Sequence, residues 1–166
     1  ELTPGQGNLG LDLGVLAQGG LSNVLNATPG DISRAKVADQ LTPHTSGLKL
    51  LLASNHPRES HLSGQVSQYE TMVARMSTLG KFVVLDLGDG LPPFVQSLLP
   101  LMREIIVVVE GVENTITHTQ ALIADLIELG MDKNRIYVVL NNRVRSESQM
   151  PWAEVQQKLG HSIAAT

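Results

Sequence analysis

The sequence predicts an α/β protein with three layers, α/β/α, around a mostly parallel sheet. Three observations carry this. Short runs of almost purely apolar, largely β-branched residues recur along the chain, as in Phe82–Leu85, Ile105–Val109 and Ile136–Leu140. Strands buried on both faces have this appearance. Between the runs lie segments with the three-to-four-residue apolar period of helices, and that alternation marks a parallel sheet with crossover helices. Glycine and proline stand at several junctions, where they stop or open helices.

The elements follow in order. Residues 1–45 are glycine-rich and lack the alternation. They are expected to be loop-rich, with short helices near Leu21–Leu25 and Asp31–Gln40. Residues 46–166 form the alternating core. Gly47–Ala53 is its first strand. A helix from Leu62 to Leu79 places Val66, Tyr69, Val73, Met76 and Leu79 on one face, and Gly80 stops it. After the strand Phe82–Leu85, Pro92 and Pro93 open a helix from Phe94 to Met102. The strand Ile105–Val109 leads to a helix from Glu113 to Leu129, with Ile116, Ile123, Leu126 and Ile127 on its apolar face and Gly130 as its stop. The strand Ile136–Leu140 leads to a last helix from Pro151 to Leu159, closed by Gly160. Crossovers should be right-handed, and helices should cover both faces of the sheet.

A chain of 166 residues can bury a sizeable core as one domain. Its 42% hydrophobic and 17% charged residues are those of a globular protein. The net charge of −4 and the scatter of Lys and Arg give no support to nucleic-acid binding. With no cysteine there are no disulfides and no thiolate metal sites, which fits a cytoplasmic protein. No apolar run approaches the ~18 residues of a membrane span. The chain opens on Glu1, not Met, and stops at Thr166 after a pattern that usually leads into another strand. It reads as an internal piece of a longer protein.

The most informative stretch is Lys81–Leu91, KFVVLDLGDGL. An apolar run ends on one carboxylate, Asp86, and Gly88 and Gly90 follow. Ligands of open α/β sheets bind just past the carboxyl ends of strands. A carboxylate there can hold Mg²⁺ or its water, and glycines admit a phosphate close to the backbone. Asp89 is a second acid or a turn residue. Asn141-Asn142-Arg143 ends another strand, and a side-chain amide there offers both donor and acceptor to a purine edge; a turn is the plainer reading. The opening ELTPGQGNLG matches neither G-x-x-x-x-G-K-[ST] nor G-x-G-x-x-G, so it supplies no phosphate cradle. His56 and His61 are five apart, not at the spacing of a helical zinc pair, and the five histidines read as surface residues. No G-x-S-x-G elbow is present.

GNLGLDLG, FVVLDLGDGL and IIVVVEGVENTITHTQALIADLIELG leading to YVVLNNRV together resemble the MinD/ParA group of deviant-Walker P-loop ATPases. Within that group they look most like the CpaE/TadZ proteins of Tad (Flp) pilus assembly. The resemblance spans almost the whole chain and implies a P-loop NTPase fold of the MinD-like kind, a nucleotide-dependent homodimer, and ATP with Mg²⁺ as cofactors. It implies a positioning factor at a cell pole or the inner membrane surface, partnered by pilus-assembly or polar-localisation proteins and associated peripherally with the membrane. By residue match Asp86 takes the Walker B place, touching Mg²⁺ indirectly, and Gly90 that of the switch II glycine, with Gly88 also on the nucleotide side. Asn142 with Arg143 matches the N-R whose Asn contacts adenine, with Asn141 one residue out of step. Glu1 and Thr3 fall where the family has D-x-D in switch I, with Gly7 and Asn8 following.

Two departures bear on activity. Thr3 replaces the second acid of that pair, and a threonine cannot act as an anionic water-orienting group. The P-loop with its lysines does not occur in these residues. The resemblance therefore implies an ATPase in the full-length protein and an inactive fragment here, with a bare apolar edge at Phe82–Leu85 where the P-loop strand belongs. The alternative is a degenerate, non-hydrolysing scaffold of the same fold, acting through protein contacts only.

Overall fold

The computed structural model describes residues 1–15, 20–142 and 150–166. The chain divides into two compact units, Glu1–Leu98 and Leu99–Thr166.

The regular structure of the first unit is mostly helical. It contains α1 (Leu9–Asp12), α2 (Gly20–Leu25), α3 (Arg34–Asp39), β1 (Thr42–Pro43), β2 (Lys49–Leu50), α4 (Val66–Met76) and α5 (Pro93–Leu98), with a 3₁₀ stretch at Pro57–Gly64. Ser33 caps α3, its hydroxyl accepting from the Lys36 amide at 3.1 Å. Such a cap is worth about 1 kcal/mol. On α4 the helical period buries Tyr69, Met72 and Val73, which join Leu21, Val24, Leu52, Leu62, Phe94 and Leu98 in the core. The two prolines open α5: the Pro92 carbonyl accepts from the Val95 and Gln96 amides, and Pro93 fills the first helical position, where no N–H is needed.

Two expected strands change here. Of Gly47–Ala53, only Lys49–Leu50 is a strand, and it pairs antiparallel with Thr42–Pro43. Leu51–Ala53 is buried and irregular; the Leu51 carbonyl accepts from the Glu1 amino nitrogen and the Leu52 carbonyl from the Leu21 amide. Phe82–Leu85 is not a strand. Phe82 is 83% exposed and Val84 88% exposed. An apolar run sets a preference for extended backbone, but a strand also needs a ladder partner, and no strand pairs with this run among the described residues. The helix expected from Leu62 begins at Val66 because the 3₁₀ stretch runs through Gly64.

The second unit holds the parallel sheet. β3 (Ile105–Val109), α6 (Glu113–Glu128), β4 (Ile136–Leu140), α7 (Trp152–Leu159) and β5 (Ile163–Ala165) follow in order, and the strands lie side by side as β3-β4-β5. Ile105 pairs with Ile136 and Val109 with Leu140; β5 joins at Val138↔Ile163 with a register shift. The guanidinium of Arg135 donates to the carbonyls of Met102 and Arg103, fixing the lead-in to β3 beside β4. Gly130 ends α6 at φ +95°: its amide bonds the Ile127 carbonyl and the Met131 amide the Leu126 carbonyl, the two bonds of a Schellman stop. Helix α6 packs on β3 and α7, burying Ile116, Ile123 and Leu126. The other face is not covered as expected. Ile105, Val107 and Val109 point inward, while Ile106 is 64% and Val108 61% exposed, with Tyr137 beside them on β4.

Candidate functional site

The site lies within the first unit. Glu1, Thr3, Gln6, Asn8, Leu9, Asp12, Asp86, Gly88 and Asp89 line a cleft of about 240 Å³. The opening segment builds one wall. The Glu1 amino nitrogen donates to the Leu51 carbonyl (3.1 Å) and the Leu2 amide to the Asp86 carbonyl (2.8 Å), so this backbone is hydrogen-bonded to both neighbouring segments. Farther along, the Gly7 amide donates to the Ser54 carbonyl (3.0 Å). A side chain at Gly7 would collide with the Ala53 carbonyl, so the chain passes there only as glycine. The Glu1 carboxylate accepts through Oε1 from the Asn8 (2.8 Å) and Leu9 (3.2 Å) amides, at the start of α1. An anion is favoured at a helix start. The other oxygen, Oε2, is buried without a hydrogen bond among the described residues.

The Asp86 segment builds the opposite wall. Oδ1 of Asp86 accepts from the Gly88 amide at 3.1 Å, an Asx-type turn. Gly88 and Gly90 sit at φ +70° and +71°, the left-handed region that glycine enters freely. At Gly88 the space a Cβ would need is taken by the Thr3 methyl. The two walls are therefore in direct contact at Thr3 and Gly88.

Tyr69 holds the first wall in place. Its hydroxyl donates to the Leu2 carbonyl at 3.0 Å, and burial pushes that hydroxyl above the usual phenol range. Its ring stacks on Phe94 at 4.2 Å between centroids and 17° between planes.

Four carboxylates (Glu1, Asp12, Asp86 and Asp89) line the cleft, and no Lys or Arg does so among the described residues. Hard oxygen donors of this kind suit Mg²⁺, which keeps several waters and takes only one or two carboxylates. Asp86 is exposed, as a carboxylate acting through such waters must be. No group of three or more His, Cys, Asp or Glu among the described residues forms a cage for a metal. Such donors would suit a hydrated Mg²⁺ held in part by a phosphate, with Asp86 and Asp89 among the carboxylates available to it. The cleft alone repels a bare polyphosphate.

Of the sequence-predicted residues, Thr3, Asn8, Asp86 and Gly88 share this cleft, with Gly7 anchoring the strand of chain between Thr3 and Asn8. Gly90 lies just beyond the lining. Asn142 belongs to the second unit, where it is exposed after the carboxyl end of β4; the neighbouring Asn141 amide donates to the Val109 carbonyl at 2.8 Å. Arg143 lies outside the described residues. Gln6 and Asp12 were not anticipated. Asp12 closes the single turn of α1, its amide bonding the Asn8 carbonyl, and a one-turn helix among glycines leaves no periodicity to read. Gln6 has no such signal.

The fold and the cleft together define a class: an α/β domain with an acidic cleft in which a carboxylate is followed by a glycine loop. No family model and no curated protein matches the chain. Among solved structures it is similar to the crystal structure of a ParA family ATPase from Chlorobium tepidum TLS, with a TM-score of 0.75 and 15% sequence identity over 92% of this chain. The chain therefore has the α/β fold of ParA-type P-loop ATPases. It spans 62% of that neighbour's length.

Proposed function

We propose that the chain is the core of an ATP-binding switch protein of the MinD/ParA type, acting as a CpaE/TadZ-like localisation factor in Tad (Flp) pilus assembly. The observation that carries this reading is the cleft. Asp86 stands at the end of an apolar segment, its carbonyl bonded to the Leu2 amide and its side chain turned onto the Gly88 amide. This is the arrangement that presents a carboxylate to a hydrated Mg²⁺ while a glycine loop faces the terminal phosphate. By residue match to that family, Asn142 and Arg143 are assigned to the adenine. The phosphate cradle and its lysine must come from sequence outside these residues, since the acidic cleft supplies neither. Nucleotide would bring two copies together, and the dimer would act at a cell pole or membrane surface on pilus-assembly proteins. No helix among the described residues is long and apolar enough to cross a membrane. Calorimetric titration of the full-length protein with Mg-ATP tests the site. Asp86→Ala should weaken binding by about tenfold or more, the effect of losing one charge-assisted ligand; unchanged affinity would count against it.

A second reading is a non-hydrolysing scaffold of the same fold. Thr3 favours it: its methyl is packed on Gly88 where a water-orienting carboxylate would otherwise stand. Tight Mg-ATP binding without phosphate release would support it, and measurable turnover would remove it.

A further inference from the structure

We infer that Tyr69 is a positioning residue of the cleft, joining the Leu2–Thr3 wall to the Gly88–Gly90 loop so that the two walls hold one geometry. Leu2 is held through both of its backbone polar groups. Its N–H is bonded to the Asp86 carbonyl, where the loop begins, and its C=O to the Tyr69 hydroxyl. The Tyr69 ring lies on Phe94, the second residue of α5, where the loop ends. The connections close a ring: Leu2 to Asp86, through the glycine loop to Phe94, across the stacked rings to Tyr69, and back to Leu2.

The anchors of this ring are shielded from water and the loop between them is not. Leu2, Tyr69 and Phe94 are buried, whereas Asp86, Gly88, Asp89 and Gly90 are exposed. Two glycines at positive φ supply the bends and no side-chain packing of their own. Gly88 is held by its contact with the Thr3 methyl and by the bond from its amide to Asp86 Oδ1, and Thr3 directly follows the residue that Tyr69 holds. With the hydroxyl gone, the buried Leu2 carbonyl loses its partner and must move toward water. Thr3 then withdraws from Gly88, although Tyr69 touches neither Thr3 nor the glycines through its hydroxyl. A residue on α4 thereby governs a loop separated from it by nearly twenty positions.

The test uses backbone amide order parameters of the full-length protein at Thr3, Gly88 and Gly90. In the unsubstituted protein these amides should be near the rigid value of about 0.85. In Tyr69→Phe, which keeps the stacked ring, Gly88 and Gly90 should fall below about 0.6. Val37→Ala, a core truncation on α3 outside the ring, should leave them unchanged. Phe94→Leu keeps the hydroxyl bond and removes the stack, and should loosen Gly90 more than Thr3, giving a second route if Tyr69→Phe does not fold. Loosening confined to Thr3, loosening of equal size in Val37→Ala, or glycines already mobile in the unsubstituted protein would each overturn the inference. The importance of this geometry for nucleotide rests on the reading of the cleft given above, and a separate arm keeps the two apart. Mg-ATP affinity should drop several-fold in Tyr69→Phe; if the unsubstituted protein fails to bind Mg-ATP, the nucleotide reading falls while the order parameters still decide the role of Tyr69.

Discussion

Replacing Gly88 by alanine should destabilise the first unit through two separable effects, and a second substitution should recover only one of them. The backbone at Gly88 has φ +70°. Holding an L-residue there costs about 1–2 kcal/mol. The new methyl group would also enter the space of the Thr3 methyl, and overpacking of that kind costs about 1–3 kcal/mol. Gly88→Ala should therefore lose about 2–5 kcal/mol, a large part of the ~5–15 kcal/mol that holds a domain folded. Thr3→Ser alone removes one methyl and should cost under ~1 kcal/mol. In the Thr3→Ser background the alanine no longer meets a methyl group, so its cost should shrink to the backbone part, about 1–2 kcal/mol. The expected coupling is about 1–3 kcal/mol in favour of the double variant, within the range for residues in contact. Urea unfolding of the four proteins, read by circular dichroism at constant m-value, measures it. Strictly additive losses would refute the claim that Thr3 and Gly88 interlock, and a negligible loss in Gly88→Ala would refute the left-handed geometry as well.

Further expectations concern the rest of the first unit. Ser33→Ala removes the α3 cap and should cost about 1 kcal/mol in urea unfolding, while Ser33→Asp should retain stability. The Ser22 hydroxyl donates to the Glu59 carboxylate and holds it below the usual carboxylate range. The folded value is thus depressed, so this bond contributes stability above the unfolded value of about 4.3 and loses it as pH falls below that. Thermal midpoints of the unsubstituted protein should drop more steeply with acid in this window than those of Ser22→Ala.

Much of the second unit is legible in the sequence. Ile105–Val109 and Ile136–Leu140 were expected at the bounds they have, and Gly130 and Gly160 stop α6 and α7 as glycines in the left-handed region do. The reason is that these signals are local: apolar runs, helical period and stop residues act within a few positions of one another. Phe82–Leu85 fails for the complementary reason. Its residues have strand propensity, but strand formation depends on a partner that propensity does not name. β5 was missed because three residues, Ile163–Ala165, carry too little pattern. In the cleft, Asp86 and Gly88 could be read from the order of apolar run, acid and glycine. The Thr3 contact, the Tyr69 hydroxyl bond and the lining by Gln6 and Asp12 join positions far apart along the chain, and no local spacing encodes them.

The uncovered face of β3 and β4 has a practical consequence for work in solution. Ile106, Val108 and Tyr137 present apolar surface to water in the folded chain, the kind of surface to which the dye ANS binds. Dye fluorescence will therefore be high for well-packed protein, and it cannot serve as a sign that packing has been lost. Near-ultraviolet circular dichroism and the dispersion of side-chain resonances, which fall only when tertiary contacts do, are the observables that separate a destabilised variant from a native one with this face exposed.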